Sequence, residues 1–242
     1  MAKYYFISDV HIGAGSNDKE KQKLQQLSSF FNYIKHPSNE LFIVGDLFDF
    51  WFEYKYVVPS QYYPFLFEIS KLIEAGVKVY LQPGNHDSWL RDFFPTQMKI
   101  NVYGEVFTPV INSKKLYLFH GDGILKSDKG YRLLKKILKS RLNIFLYRWL
   151  HPDIGISLAK FMSHNSRQYT SNKLPDYTKE YIQFAKDRFN QGYDYVIMGH
   201  SHQPMIKYFD NKAFINIGDW IDNFSYGLLD ENGITLNYWN SL

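Results

Sequence analysis

Cysteine does not occur among the 242 residues. No disulfide framework, thiolate zinc site or cysteine nucleophile can therefore be built, and any metal must be held by nitrogen and oxygen. Long hydrophobic runs are missing too. The most apolar stretches, 48–52 and 142–150, are short and broken by polar or charged residues, well under the ~20 residues a spanning helix needs. Met1-Ala2-Lys3 runs straight into the strand-like Tyr4-Tyr5-Phe6-Ile7, which leaves no room for an export signal, so a cytoplasmic location is expected. Internal repeats and low-complexity linkers are likewise lacking. What is present is a 45% hydrophobic chain, ample for a packed core and incompatible with a disordered tail or a fibre.

The net charge of +4 hides an uneven distribution. Between Ile124 and Lys173 there are eleven basic residues against only Asp128 and Asp153, a surplus of +9 that leaves −5 on the remainder. A basic segment inserted in an acidic body suggests chemistry in the body and contact with something anionic through the insert.

Short β-rich runs recur at Tyr4–Ile7, Leu41–Val44, Val77–Leu81, Leu116–Phe119, Tyr195–Met198 and Phe214–Ile217. Helical patterns lie between several of them. Leu24, Leu27, Phe30, Phe31 and Ile34 share one face within residues 19–35, and a broader stripe over residues 62–75 stops at Gly76. This alternation predicts an α/β fold with helices flanking sheet. In the insert, Leu133, Leu134, Ile137, Leu138, Leu142, Phe145 and Trp149 recur at helical spacing with Lys and Arg on much of the other face. Two readings stand: an amphipathic helix packed on the core with a solvated basic face, or a basic cap that lies on an anionic membrane or holds acyl chains. The aromatic cluster Phe48, Phe50, Trp51, Phe52, Tyr54 and Tyr56 is read as core.

The chemistry is concentrated in the residues just after the strands. Ser8-Asp9-Val10-His11, Gly45-Asp46-Leu47-Phe48-Asp49, Pro83-Gly84-Asn85-His86-Asp87, His120-Gly121-Asp122 and Gly199-His200-Ser201-His202 each stand at the carboxyl end of a β-rich run. Open α/β folds bind ligands at that edge, so clusters distant in sequence can converge. Asp9, His11, Asp46, Asn85, His120, His200 and His202 supply two carboxylates, one amide oxygen and four imidazoles. Seven donors exceed what one catalytic cation takes while keeping a position open for water. Two cations sharing a carboxylate fit better, an arrangement suited to hydrolysis of a phosphate ester. His36, His151 and His164 lack such a context and are read as loop or helix residues.

The motifs DxH, GDxxD, GNHD and GHxH in this order resemble the calcineurin-like metallophosphoesterases over nearly the whole chain. The resemblance implies a four-layer α/β/β/α sandwich with a helical cap insertion, a single domain over residues 1–242 in which residues 124–190 form a basic lid. It implies that Asp9, His11 and His202 bind one metal, that Asn85, His120 and His200 bind the other, and that Asp46 bridges them. His86 would meet the phosphate or protonate the leaving oxygen, oriented by Asp87, with Asp49 and Asp122 fixing the ligands from behind.

A closer resemblance is to the pyrophosphatases of lipid A biosynthesis that cleave UDP-2,3-diacylglucosamine into UMP and diacylglucosamine 1-phosphate, usually with manganese. It is carried by Gly45-Asp46-Leu47-Phe48-Asp49-Phe50-Trp51, by His120-Gly121-Asp122 followed by Asp128 and Gly130-Tyr131, and by a basic insert with Asn165-Ser166 and Lys173. It implies substrate contacts at Asn85, His86, Asp128, Tyr131, Ser166, Thr170, Lys173 and His200, and a seat on the anionic inner membrane through the basic cap. The familiar form carries Arg where this chain has His86, so a guanidinium fork for the diphosphate is missing. Nitrogen and oxygen ligands also suit Fe, Zn or Co. The rival readings are a nucleotide phosphodiesterase or nuclease that tracks phosphates along the insert, a protein phosphatase, and a non-catalytic scaffold. The apolar stripe of the cap weighs against the first, the long cap against the second, and the complete ligand set against the third. The preferred reading therefore includes no nucleic-acid partner.

Overall fold

The computed structural model describes residues 2–125, 129–171 and 178–240, without the side chains of residues 129, 131, 134 and 162–171. The strands are β1 (Tyr4–Ile7), β2 (Glu40–Val44), β3 (Lys78–Gln82), β4 (Asn101–Val102), β5 (Val106–Phe107), β6 (Val110–Ile111), β7 (Lys114–Phe119), β8 (Tyr195–Met198), β9 (Met205–Phe209), β10 (Lys212–Asn216), β11 (Ser225–Asp230) and β12 (Gly233–Tyr238). The helices are α1 (Asn17–Ile34), α2 (Tyr63–Glu74), α3 (Phe93–Gln97), α4 (Lys129–Leu138), α5 (Arg141–Arg148), α6 (Pro152–Ser171) and α7 (Thr178–Asn190).

Two sheets form, in the orders β12-β11-β1-β2-β3-β4 and β5-β7-β8-β10-β9, with β6 paired to β7. Parallel pairing at the centre of each, β1 with β2 with β3 and β7 with β8 with β10, points those carboxyl ends one way within each sheet. The alternation along β1 shows why a sandwich results. Tyr5 and Ile7 turn outward onto Leu27, Phe30 and Phe31 of α1 and Ile69 and Leu72 of α2. Phe6 turns inward, with Phe42 and Val44, onto Leu116, Leu118, Ile197 and Ile215 of the second sheet. Phe6 stacks on Phe42 with centroids 5.0 Å apart, and Phe42 on Tyr80 at 4.4 Å, a cross-strand ladder that ties three parallel strands together. On the far side Tyr181, Ala185 and Phe189 of α7 cover Val196, Met198 and Phe214. The result is four layers, α1 and α2, sheet, sheet, α7, and this is the α/β/β/α sandwich with a helical insertion.

The insert departs from the expected pattern at two points. Residues 130–150 form two helices, because Ser140 caps α5 by accepting from the Asn143 amide and so breaks the run. Helix α7 lies within the expected 124–190 lid, yet it buries its apolar face on β8 and β10 and thus belongs to the sandwich. The aromatic cluster divides as well. Phe48 and Trp51 enter the main core, whereas Phe50, Phe52 and Tyr54 join Trp89 to pack against Ile144 and Tyr147 of α5 and Ile156 and Ala159 of α6. Tyr56, read as core from its neighbours, is exposed. Among the described residues no helix is long and apolar enough to cross a membrane.

Candidate metal centre

The loops at the carboxyl ends of β1, β2, β3, β7 and β8 meet at one edge of the sandwich. Backbone hydrogen bonds stitch them together: Asp9 N–H to Gly45 O, His11 N–H to Asp46 O, Trp51 N–H to His86 O and Gly199 N–H to His120 O. Space is made by glycines. A side chain on Gly84 would overlap the Asp46 carboxylate, and one on Gly199 would overlap Ser8 and Asp9. The candidate ligands themselves bear strain. Asp9, His11, Asp46, His200 and His202 all have left-handed backbones, with φ between 46 and 69°. Such conformations cost on the order of 1–3 kcal/mol each and persist where the surroundings over-determine them.

Three overlapping groups of potential ligands result: Asp9, His11 and His202; His11, Asp46 and His86; and Asp9, Asp46 and His120. His202 Nε2 lies 3.4 Å from Asp9 Oδ1, and His11 Nε2 lies 3.6 Å from the same oxygen. Asp46 Oδ2 faces both His11 Nε2 at 3.6 Å and His120 Nε2 at 3.2 Å, so one oxygen stands between two histidines. Asn85 Oδ1 is 3.1 Å from His120 Nε2, and the His200 ring lies beside His120 with centroids 5.2 Å apart. All seven expected ligands thus come together.

The donor set fits divalent cations. Ligands about 2.0–2.2 Å from a shared ion stand roughly 3–3.6 Å from one another, the range of these separations. The remaining oxygens are committed elsewhere: Asp9 Oδ2 accepts from Ser8 Oγ and the His200 amide, and Asp46 Oδ1 from the His86 amide. Asp9 Oδ1 and both ring nitrogens of His11 are buried without a hydrogen bond, a costly state unless an ion completes it. Protonation gives the same picture. Burial opposes charge on His11, yet Asp49, Asp9 and Asp46 outweigh it and raise His11 to about 9. Burial likewise opposes charge on Asp9, yet His202 and His120 hold it near about 2. His120 is driven well above its ordinary value against burial, chiefly by Asp46 and Asp9, while burial and neighbouring His120 press His200 down to about 4. The lowered carboxylates thus favour protons on His11 and His120 where cations would sit, and metal binding must expel them.

Behind the ligands, Asp49 Oδ1 stands 3.6 Å from His11 Nδ1, the Val44 carbonyl meets His120 Nδ1 at 3.0 Å, and Asp122 pairs with Lys135 of α4 at 2.7 Å. The expectation that Asp87 orients His86 needs correction. The Asp87 carboxylate is fully buried and accepts from the amides of Gly84, Leu47, Asp46 and Phe48, so it clamps the Asp46 loop to the Asn85 loop. Burial and neighbouring Asp46 push it up to about 6 in spite of those amides. His86 is oriented by Asp49 instead, whose carbonyl oxygen lies 3.0 Å from Nδ1. A carbonyl only accepts, so in the neutral ring Nδ1 carries the proton. Asp128, Tyr131, Ser166, Thr170 and Lys173, expected to touch substrate, lie outside the described residues or side chains.

Three supporting residues escaped the sequence reading. Lys23 of α1 is buried and donates to the His11 carbonyl at 2.9 Å, while Glu20 accepts from the amides of Gly13 and Gly15. Lys23 falls one turn before Leu27 on the apolar stripe, and a charge on a buried face was the clue. Asp219 comes after β10 in Gly218-Asp219, the same strand-Gly-Asp order as Gly45-Asp46.

A two-sheet sandwich that gathers aspartates, histidines and one asparagine at its strand ends defines a metal-dependent phosphoesterase. The chain matches the calcineurin-like phosphoesterase family model over residues 2–204 and belongs to that family. It is 30% identical over 97% of its length to a Porphyromonas gingivalis protein named UDP-2,3-diacylglucosamine hydrolase, 97% of which is covered. Proteins of the same name from Haemophilus ducreyi and Haemophilus influenzae are 28% and 24% identical over 96% of this chain, with 98% and 97% of their own lengths covered.

Proposed function

We propose that this hydrolase cleaves the diphosphate of UDP-2,3-diacylglucosamine, releasing UMP and 2,3-diacylglucosamine 1-phosphate for lipid A biosynthesis, with manganese as its cation. The observation that carries this reading is the pairing of the metal centre with a cap whose apolar side chains face solvent. Phe145 is 55% and Trp149 78% exposed, alongside Leu133, Leu142, Ile154 and Phe161. A monomeric enzyme for a small phosphate ester has no use for such a face, whereas a diacylated substrate and the bilayer that holds it do. Relatives bearing that name match through the cap over nearly their whole lengths.

In this reading Asp9, His11 and His202 hold one ion, Asn85, His120 and His200 the other, and Asp46 joins them. Bound there, the cations would polarise phosphoryl oxygens and acidify water at neutral pH. Asn85, His86 and His200 meet the phosphates. Burial lowers His86, so at neutral pH its ring is uncharged, with Nδ1–H held by the Asp49 carbonyl and Nε2 as its base. The cap, with Asp128, Tyr131, Ser166, Thr170 and Lys173, binds the sugar, the second phosphate and the acyl chains. Lys135 latches it to the site through Asp122 and Glu105. Its basic residues keep the enzyme at the cytoplasmic face of the inner membrane at ~1 kcal/mol per Lys or Arg near the surface.

The test is manganese-supplemented hydrolysis of UDP-2,3-diacylglucosamine beside bis-p-nitrophenyl phosphate, with Asn85→Ala and His120→Ala as controls. UMP release is expected, with a loss of more than about 100-fold in both variants. Cleavage of the small diester alone would sink the substrate and keep the metal centre. A His120→Ala variant retaining above about a tenth of the rate in saturating metal would sink the two-metal assignment.

A further inference from the structure

The loop after β10 reaches two ligands of one metal group at once. Asp219 is 3% exposed. Its Oδ1 accepts from the amides of Ile221 and Asp222 at 2.8 Å and of Asn223 at 3.1 Å. Its Oδ2 accepts from Asn223 Nδ2 at 2.6 Å and faces His202 Nδ1 at 3.6 Å. The same Asn223 amide donates to the His202 carbonyl at 3.2 Å, and Trp220 N–H donates to the Asp9 carbonyl at 3.1 Å. The loop closes on Phe224, a bulky residue in a left-handed backbone at φ 46°, opposite His202 at φ 56°. Strain of that kind is retained where neighbours leave no alternative.

We propose that Asp219 is the positioning residue for His202, facing its outer nitrogen so that Nε2 presents a lone pair toward Asp9 and His11. A neutral imidazole can ligate through Nε2 only when its proton sits on Nδ1, and a carboxylate facing Nδ1 selects that tautomer. Asp49 stands toward His11 Nδ1 at the same 3.6 Å, so the two histidines of this group share one device. His120 does without it, because the Val44 carbonyl meets its Nδ1. The two oxygens of Asp219 divide the work. Oδ1 braces the loop through three amides, and Oδ2 takes the Asn223 side-chain amide and faces His202. Among the described residues Asp219 hydrogen-bonds none of Asn85, His120 and His200, so its influence falls on one metal position.

The inference rests on the reading that Asp9, His11 and His202 hold a cation. It is tested by equilibrium dialysis of the metal-depleted protein against Mn2+, with wild type, Asp219→Asn, Asp219→Ala and His11→Ala side by side and Tm measured in chelator. Asparagine keeps an oxygen for the three amides, gives up only the bond from the Asn223 side chain, and places a donor where Oδ2 faced His202. Asp219→Asn is expected to hold one ion as tightly as wild type and the other about 10- to 100-fold more weakly. Its chelated Tm should stay within about 2 °C of wild type, and kcat should recover as manganese is raised by the same factor. Asp219→Ala should lose both the ion and the brace, with a lower chelated Tm. Wild-type affinity for both ions in Asp219→Asn overturns the proposal. So does equal weakening of both ions together with a lowered Tm, which would make Asp219 a loop brace only. If His11→Ala also keeps both ions, the ligand assignment itself fails and carries the proposal with it, whereas failure of Asp219→Asn alone leaves that assignment standing.

Discussion

The strand-end loops and the helical insert are built on opposite terms. In the loops the polar groups behind the candidate ligands are engaged: Asp87 accepts from four amides and Asp219 from three amides and a side-chain amide, while Lys23 of α1 donates to the His11 carbonyl. Five candidate ligands are held in backbones they would not choose. The insert instead leaves Leu142, Phe145, Trp149 and Phe161 in solvent. Among the described residues it is anchored by Lys135 on Asp122 and Glu105, by Lys139 on Glu105, by Trp89 on the Leu138 carbonyl, by Lys160 on Gln61 and by the aromatic floor of Phe50, Phe52 and Tyr54. A metal centre needs ligands fixed to a few tenths of an ångström, which only redundancy provides. A surface for lipid needs unsatisfied apolar area, which packing would remove.

Three perturbations set these regions against each other. The largest loss of stability is expected from Asp87→Ala, which strips four buried amides of their acceptor and should cost about 3 kcal/mol or more. Chemical denaturation in chelator reads this, and a cost below about 1 kcal/mol would mean that the clamp is dispensable. The second comes from pH. His11 is raised to about 9 in the metal-free fold against roughly 6.5 when unfolded, and His120 is also held well above its ordinary value by Asp46 and Asp9. A raised histidine adds stability that is complete below the unfolded value and is lost as pH rises through the folded one. The chelated protein should thus lose Tm steadily between pH 6.5 and 9, while the extra Tm given by manganese grows over that interval as the protons leave. A flat profile in chelator would show that the carboxylates do not hold those protons.

The smallest effect on stability belongs to the cap. Trp149→Glu and Phe145→Asp replace exposed side chains and should shift stability by no more than about 0.5 kcal/mol. Rates on a small diester should stay at wild-type level, and KM for the diacylated substrate and binding to anionic vesicles should worsen about tenfold or more. Unchanged KM and vesicle binding would return the cap to the reading of a solvated, packed helix pair.

Much of this was legible beforehand, for identifiable reasons. β1 and β8 match the expected runs to the residue, because a strand buried on both faces is written as an unbroken apolar string. β9, β11 and β12 were not foreseen. β9 and β12 are edge strands, where half-exposed sequences such as Lys207-Tyr208 and Thr235-Leu236-Asn237 blur the pattern, and β11 is interrupted by Gly227. The seven candidate ligands were readable because each follows a β-rich run, four of them next to a glycine, and because strand ends in such folds converge. The role of Asp87 was misread because a motif shows that two residues are adjacent and not which atoms face each other.

The sequence by itself determined the alternation of strands and helices, the donor chemistry and the basic, apolar character of the insert, since each is a local property of side-chain type and spacing. Only the tertiary structure decided that α7 belongs to the sandwich, that Asp87 clamps two loops and that Asp219 and Lys23 stand behind the ligands. Those are relations between residues 12 to 191 positions apart, such as Lys23 with His11 or His200 with Asp9. No local pattern encodes them, because they arise when packing brings separate strand ends to one edge.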